Sequence, residues 1–163
     1  MEILLLLEKG LWAGFAALGF AILFNVPPRT LFAIWFIAAL GGLTKYVALE
    51  LNLNIILASF LGASLIGILS IPIAHKVHSP PLIFSIPAVI PMVPGAFAYR
   101  MMLDLISIAV KSGSESSNLL VYDTFQNGMK AAFILLALAV GVAVPMLITR
   151  KESAKRIRIK LLE

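Results

Sequence analysis

Cysteine is absent from this chain, and charge is scarce: Asp, Glu, Lys and Arg supply only 13% of its 163 residues. Without cysteine there is no disulfide framework, no thiolate metal site and no cysteine nucleophile. A soluble domain is roughly 25% charged, so this chain has too few charges to cover a water-facing surface. Histidine is limited to His75 and His78 in one segment, with no carboxylate or third ligand beside them, which argues against a metal site. The serines are scattered and no nucleophile–base pair stands out, so an intramembrane enzyme has no support. No cofactor motif, repeat or low-complexity segment is present. The start, MEILLLLEKG, lacks a basic leader and a small-residue cleavage site and is read as mature protein.

What the chain has instead is apolar length. It is 61% hydrophobic with a mean hydropathy of +1.02. Continuous apolar runs cover 3–24, 31–49, 55–74, 82–110 and 129–148. At about 20 residues per crossing, they predict an all-α integral membrane protein with about five transmembrane helices. A transmembrane barrel would need alternating segments of about ten residues, which these are not. Residues 1–149 read as one polytopic transmembrane domain and 150–163 as a basic cytoplasmic tail.

The net charge of +5 gathers in that tail, at Arg150, Lys151, Lys155, Arg156, Arg158 and Lys160. Basic residues directly after an apolar run are a topology signal and place the C terminus in the cytoplasm. No aromatic residues are interleaved with them, so nucleic acid is not an expected partner. Alternation then puts Arg29 and the 75–81 segment inside. Glu50 and a polar loop over 111–127 fall outside.

Local signals refine the helices. Glu8 and Lys9 interrupt the first run, so its helix starts near Leu11 or follows a short interfacial turn. Asn25-Val26-Pro27-Pro28-Arg29 stops that run, because the residue before a proline disfavours helix. Asn25 suits a cap or turn there, with contact to a solute as the alternative. Thr30 fits an N-cap for the second run. Lys45, near that run's far end, is expected to extend toward the headgroups. Ser59, Ala63 and Gly67 form a small-residue seam on the third run, suited to close helix contact. Ala137, Gly141 and Pro145 repeat the spacing on the fifth.

The fourth run is the exception. It is 29 residues long (82–110), about 44 Å as a straight helix, against a hydrocarbon core of about 30 Å. Its centre reads IPAVIPMVPGAFAYR over 86–100. Proline removes a backbone donor and clashes with the preceding turn, so a regular helix cannot pass unbroken through Pro87, Pro91 and Pro94-Gly95. Broken backbone at membrane depth survives where protein covers it or where it lines a polar cavity. Discontinuous helices of this kind carry solute sites in secondary transporters; the alternative is a kinked helix whose prolines only shape packing. After the break, Arg100 and Asp104 are four apart and share a helix face. Either Asp104 neutralises Arg100 and fixes helix register, or Arg100 grips a substrate carboxylate through its planar fork.

The segments GFAILFNVPPR (19–29) and PAVIPMVPGAFAYR (87–100), with the glycine-bearing second run and the small-residue third run, resemble the threonine/serine exporter family. Within it the chain is similar to the small subunit of split exporters, equivalent to the C-terminal membrane half of fused ones. The resemblance implies a subunit of a secondary transporter exporting small carboxylates, threonine and serine or a dicarboxylate such as succinate. It implies a larger membrane subunit of the same family as partner, in the cell (inner or plasma) membrane. The alternative is an accessory or assembly subunit without its own substrate site, and a homo-oligomer stays open. The family's proline and glycine positions carry over to Pro91, Pro94 and Gly95, and its aromatic-basic ending to Tyr99 and Arg100. Some split relatives lack that arginine, so Arg100 does not separate an amino acid from a dicarboxylate. The candidate substrate-binding set is Pro91, Pro94, Gly95, Tyr99, Arg100, Asp104 and Asn25.

Overall fold

The computed structural model describes residues 2–110 and 117–149. The basic tail and the start of the 111–127 segment lie outside the described residues. The described residues form six α-helices: α1 (Glu2–Leu23), α2 (Leu31–Glu50), α3 (Ile55–Val77), α4 (Leu82–Val89), α5 (Gly95–Val110) and α6 (Ser117–Thr149). Two 3-10 turns, Pro28–Thr30 and Ile90–Met92, precede α2 and follow α4. Helices α1, α2, α3 and α6 are each long and apolar enough to cross a membrane. Taken together as one span, the bent pair Leu82–Met92 and Gly95–Val110, turning by 52°, makes a fifth. The chain is therefore an all-α membrane protein.

The helix ends follow from local chemistry. Three helices close the same way, with the last carbonyls satisfied by backwrapped N–H groups around a left-handed residue. Asn25 (φ 54°), Asn52 (φ 59°) and His78 (φ 54°) take that conformation. Val26, Leu53 and Ser79 then donate to Ala21, Ala48 and Ala74. Asparagine tolerates this region better than most residues, which gives Asn25 a turn role. Asn54 caps α3 by accepting from the Ile56 N–H at 3.1 Å. Thr30 differs from the expected cap: its own backbone is helical and its hydroxyl donates to the Pro27 carbonyl at 2.8 Å. The prolines force a 3-10 turn first, and the threonine serves that turn.

Two boundaries also differ from the sequence expectation. Helix α1 runs unbroken through Glu8 and Lys9, whose side chains find partners on helices. The Trp12 indole N–H donates to the Glu8 carboxylate at 3.3 Å, and the Lys9 ammonium lies 5.4 Å from the centre of the Tyr46 ring. Helix α6 begins at Ser117, so most of the expected polar loop is helical. No proline or glycine occurs between Ser117 and Gln126, and nothing there breaks the backbone pattern. Likewise His75 belongs to α3, bonded through Nδ1 to the Ile71 carbonyl at 2.8 Å.

Glycines set the packing. A Cβ on Gly42 would meet Ala13 Cβ at 2.7 Å, on Gly62 the Gly41 carbonyl at 2.7 Å, and on Gly141 the Phe60 carbonyl at 2.9 Å. These three contacts join α1 to α2, α2 to α3, and α3 to α6 with backbones nearly touching. The core between them holds Ile34, Ile37, Ile66, Phe84 and Ile134, all fully buried. Gly67 meets Val142 and Pro145 while Gly141 meets Phe60, so α3 and α6 run parallel and end on one face. Arg29 and His75 share that face; Glu50 lies on the opposite one. Helix α5 runs antiparallel along α6, and none of its described residues is fully buried.

Candidate site at the broken span

Helix α4 enters the bundle with Phe84, Ser85, Pro87 and Ala88 buried against α1, α2 and α3. Pro87 and Pro91 deprive the carbonyls four residues earlier of their helical donors. The 3-10 turn continues to Met92, and then Val93 swings to an extended conformation with ψ 134°. Pro94 follows, and its carbonyl accepts from Phe97 and Ala98 to start α5. The predicted division of the fourth run into two pieces, at this motif, is what the fold contains.

In an unbroken helix the Met92 carbonyl would accept from the Ala96 N–H. At the break it instead accepts from Lys45 Nζ of α2, at 3.2 Å. The ammonium replaces the lost peptide donor, as a backbone acceptor held inside protein requires. Lys45 is thus turned inward, and not toward the headgroups as its position near the end of α2 suggested. Two glycines bring it there. A Cβ on Gly41 would lie 3.1 Å from Met92 Cε, and one on Gly62 would lie 3.1 Å from Met92 Cε and 3.3 Å from Lys45 Cβ. Gly41, Lys45, Gly62 and Met92 therefore converge where α2, α3 and the broken span meet. The sequence carried one signal for this: Gly41 and Lys45 are four apart, on one face of α2.

The expected site residues divide around this junction. Pro94 is buried, Pro91 half-buried and Gly95 exposed at the head of α5. Tyr99 and Arg100 are exposed on α5. Asp104 is half-buried and accepts from the Asn127 side-chain amide of α6 at 3.3 Å. No ion pair joins Asp104 to Arg100 at hydrogen-bonding distance among the described residues. Asn25 lies in the turn after α1, near the face where α4 begins, whereas Lys45 lies toward the opposite face. Asn127 and Lys130 are the polar residues of this region that sequence reasoning passed over. Lys130 Nζ lies 6.0 Å from the centre of the Phe97 ring, beside the first turn of α5, and donates to Gln126 at 3.4 Å. Two shallow apolar grooves, of about 360 and 430 Å³, are lined by neither Lys45 nor Met92: one lies between α1 and α2, and one between α5 and α6, where Met101, Leu105 and Gly128 adjoin Arg100, Asp104 and Asn127 in the chain. Among the described residues no cluster of acids and histidines could hold a metal ion.

A sequence profile described as "Threonine/Serine exporter, ThrE" matches residues 9–148, which reach into every span and include the whole broken motif. This chain belongs to the threonine/serine exporter family. An uncharacterised protein of Haemophilus influenzae is 36% identical over 147 residues, covering 90% of this chain and 48% of that protein. The chain spans about half the length of this curated relative. No solved structure matches. Membership supports a transport role for this chain.

Proposed function

We propose that this chain is the smaller half of a secondary exporter of small carboxylates, working with a larger membrane subunit that carries the family's other half. The observation that carries this reading is the bent span: an exporter-family chain breaks its backbone between Met92 and Gly95 and turns a lysine onto it. Broken spans of this kind supply carbonyls and a helix start to a solute in other transporters. The doubled length of the Haemophilus influenzae relative supports a second half. Threonine and serine, or a dicarboxylate such as succinate, are the substrate classes. Pro91, Pro94 and Gly95 form the opening, and Tyr99, Arg100 and Asp104 line α5 beside it. Arg100 pairs with two carboxylate oxygens through its planar fork, and its exposed side is covered by the partner. The transporter sits in the plasma membrane with its basic C terminus inside, as the positive-inside rule requires.

The test is uptake of labelled threonine and of succinate into vesicles containing both subunits. Arg100→Ala is expected to assemble normally and lose most transport; full-rate transport would remove Arg100 from the site. The competing reading is an accessory subunit that only stabilises its partner, which the glycine seams favour. It prevails if the larger subunit alone transports as well as the pair.

A further inference from the structure

Lys45 carries a charge that the described protein does not neutralise. It lies six residues beyond residue 39, the midpoint of the Pro28–Glu50 span. That is about 9 Å along the axis, inside a hydrocarbon half-thickness of about 15 Å. Ionisable groups at such depth face protein or a wet cavity and ordinarily have a charged partner. Here the partner is a neutral carbonyl, that of Met92, and among the described residues no carboxylate lies within ion-pairing distance of Nζ. An ammonium has three donors, and this carbonyl occupies one. The contact region of α2, α3 and the broken span thus holds one cation short of an anion.

We propose that Lys45 is a group that binds the substrate carboxylate, and that the Met92 carbonyl holds its ammonium only while the site is empty. This rests on the exporter reading and adds to Arg100 a second anion-binding group, on the side of the broken span that faces α2. The carboxylate takes donors that the carbonyl leaves free, and this stronger, charge-assisted bond draws the ammonium toward it. Its arrival takes the ammonium off Met92 and leaves that carbonyl free at the joint between the 3-10 turn and α5. The joint that bends the span is then released only when substrate is bound, which ties movement of α5 to occupancy. Arg100, exposed one turn into α5, meets the substrate from the partner's side.

The experiment uses the wild-type two-subunit complex in vesicles, treated with acetic anhydride and digested for mass spectrometry. Threonine or succinate, whichever is transported, is expected to reduce acetylation of Lys45 several-fold. Acetylation of Lys9, which sits against the Tyr46 ring, should not change. In parallel, Lys45→Met is expected to lower transport at subsaturating substrate by about ten- to a hundredfold, the range for losing a hydrogen bond to a charged group. Lys45→Arg should retain part of it. Unchanged Lys45 acetylation, or wild-type transport by an assembled Lys45→Met complex, overturns the inference while leaving the exporter reading intact. A wild-type complex that moves neither acid overturns both. If Lys45→Met fails to assemble, the protection experiment decides alone.

Discussion

The seam between α3 and α6 and the junction between the Ile90–Met92 turn and α2 both bring backbone close to a neighbouring helix, but they leave their polar groups in different states. Along the α3–α6 seam the helices run on through Pro72 and Pro145, which take the helical donors from the Ile68 and Gly141 carbonyls, yet no side chain of the facing helix turns onto those carbonyls among the described residues, and the close approach only removes space. At the junction the prolines have removed donors, and closeness serves another purpose: it lets Lys45 reach a carbonyl that has none. Small residues in a membrane helix thus serve two ends, tight packing in one place and access to unsatisfied backbone in the other. The second arrangement is the one that a solute can disturb.

The largest change that separates these two uses is Gly62→Leu. Its first side-chain carbon falls 2.7 Å from the Gly41 carbonyl and 3.3 Å from Lys45 Cβ, and neither helix backbone can give. Overpacking of this kind costs about 1–3 kcal/mol or more. Thermal unfolding in detergent should show a clear loss, together with loss of transport. A stability equal to wild type would mean the helices are not in contact there.

Pro94→Ala should act on the junction alone. It restores a backbone donor at the break and removes the ring that separates the turn from α5. Transport is expected to fall several-fold, while unfolding falls by about 1 kcal/mol, the typical loss for trimming a buried side chain. A variant that transports normally would show that the bend does not depend on this proline. Asn54→Ala tests an end that neither region uses. Loss of its bond to the Ile56 N–H should cost about 1 kcal/mol, with transport unchanged at a temperature where the protein is folded.

The smallest effect is expected on the α5–α6 side. Asn127→Ala removes the amide that Asp104 accepts from, and interhelical hydrogen bonds in membranes average about 0.6 kcal/mol. If the unfolding loss exceeds about 2 kcal/mol, Asp104 is more tightly held than one amide explains. A gain completes the series: His78→Gly relieves a left-handed backbone at φ 54°. It should stabilise by up to about 1 kcal/mol, because glycine adopts that conformation without a Cβ penalty.

Much of the fold was legible in one dimension because a bilayer restricts the choices. Apolar runs of about 20 residues must become helices, and three prolines in eight residues must break one. The seam at Ser59, Ala63 and Gly67 was readable for the same reason, since its four-residue spacing puts small side chains on one stripe. The errors fall where two elements contribute to one outcome. Glu8 and Lys9 read as an interruption, yet Trp12 and Tyr46 give them helical neighbours. The polar stretch from Ser117 read as loop, although it is the first part of α6. Lys45 read as a headgroup-seeking lysine from its place near the end of α2, because nothing local reveals a bare carbonyl 47 residues away.

Composition and proline spacing by themselves determined that this protein lives in a membrane, crosses it about five times and breaks its fourth span at Pro94-Gly95. Only the tertiary structure decided which charge answers that break. Backbone breakage is local, since each proline acts on its own turn, so a linear reading captures it. The donor that satisfies the freed carbonyl comes from another helix, and its choice depends on how closely Gly41 and Gly62 let those helices meet.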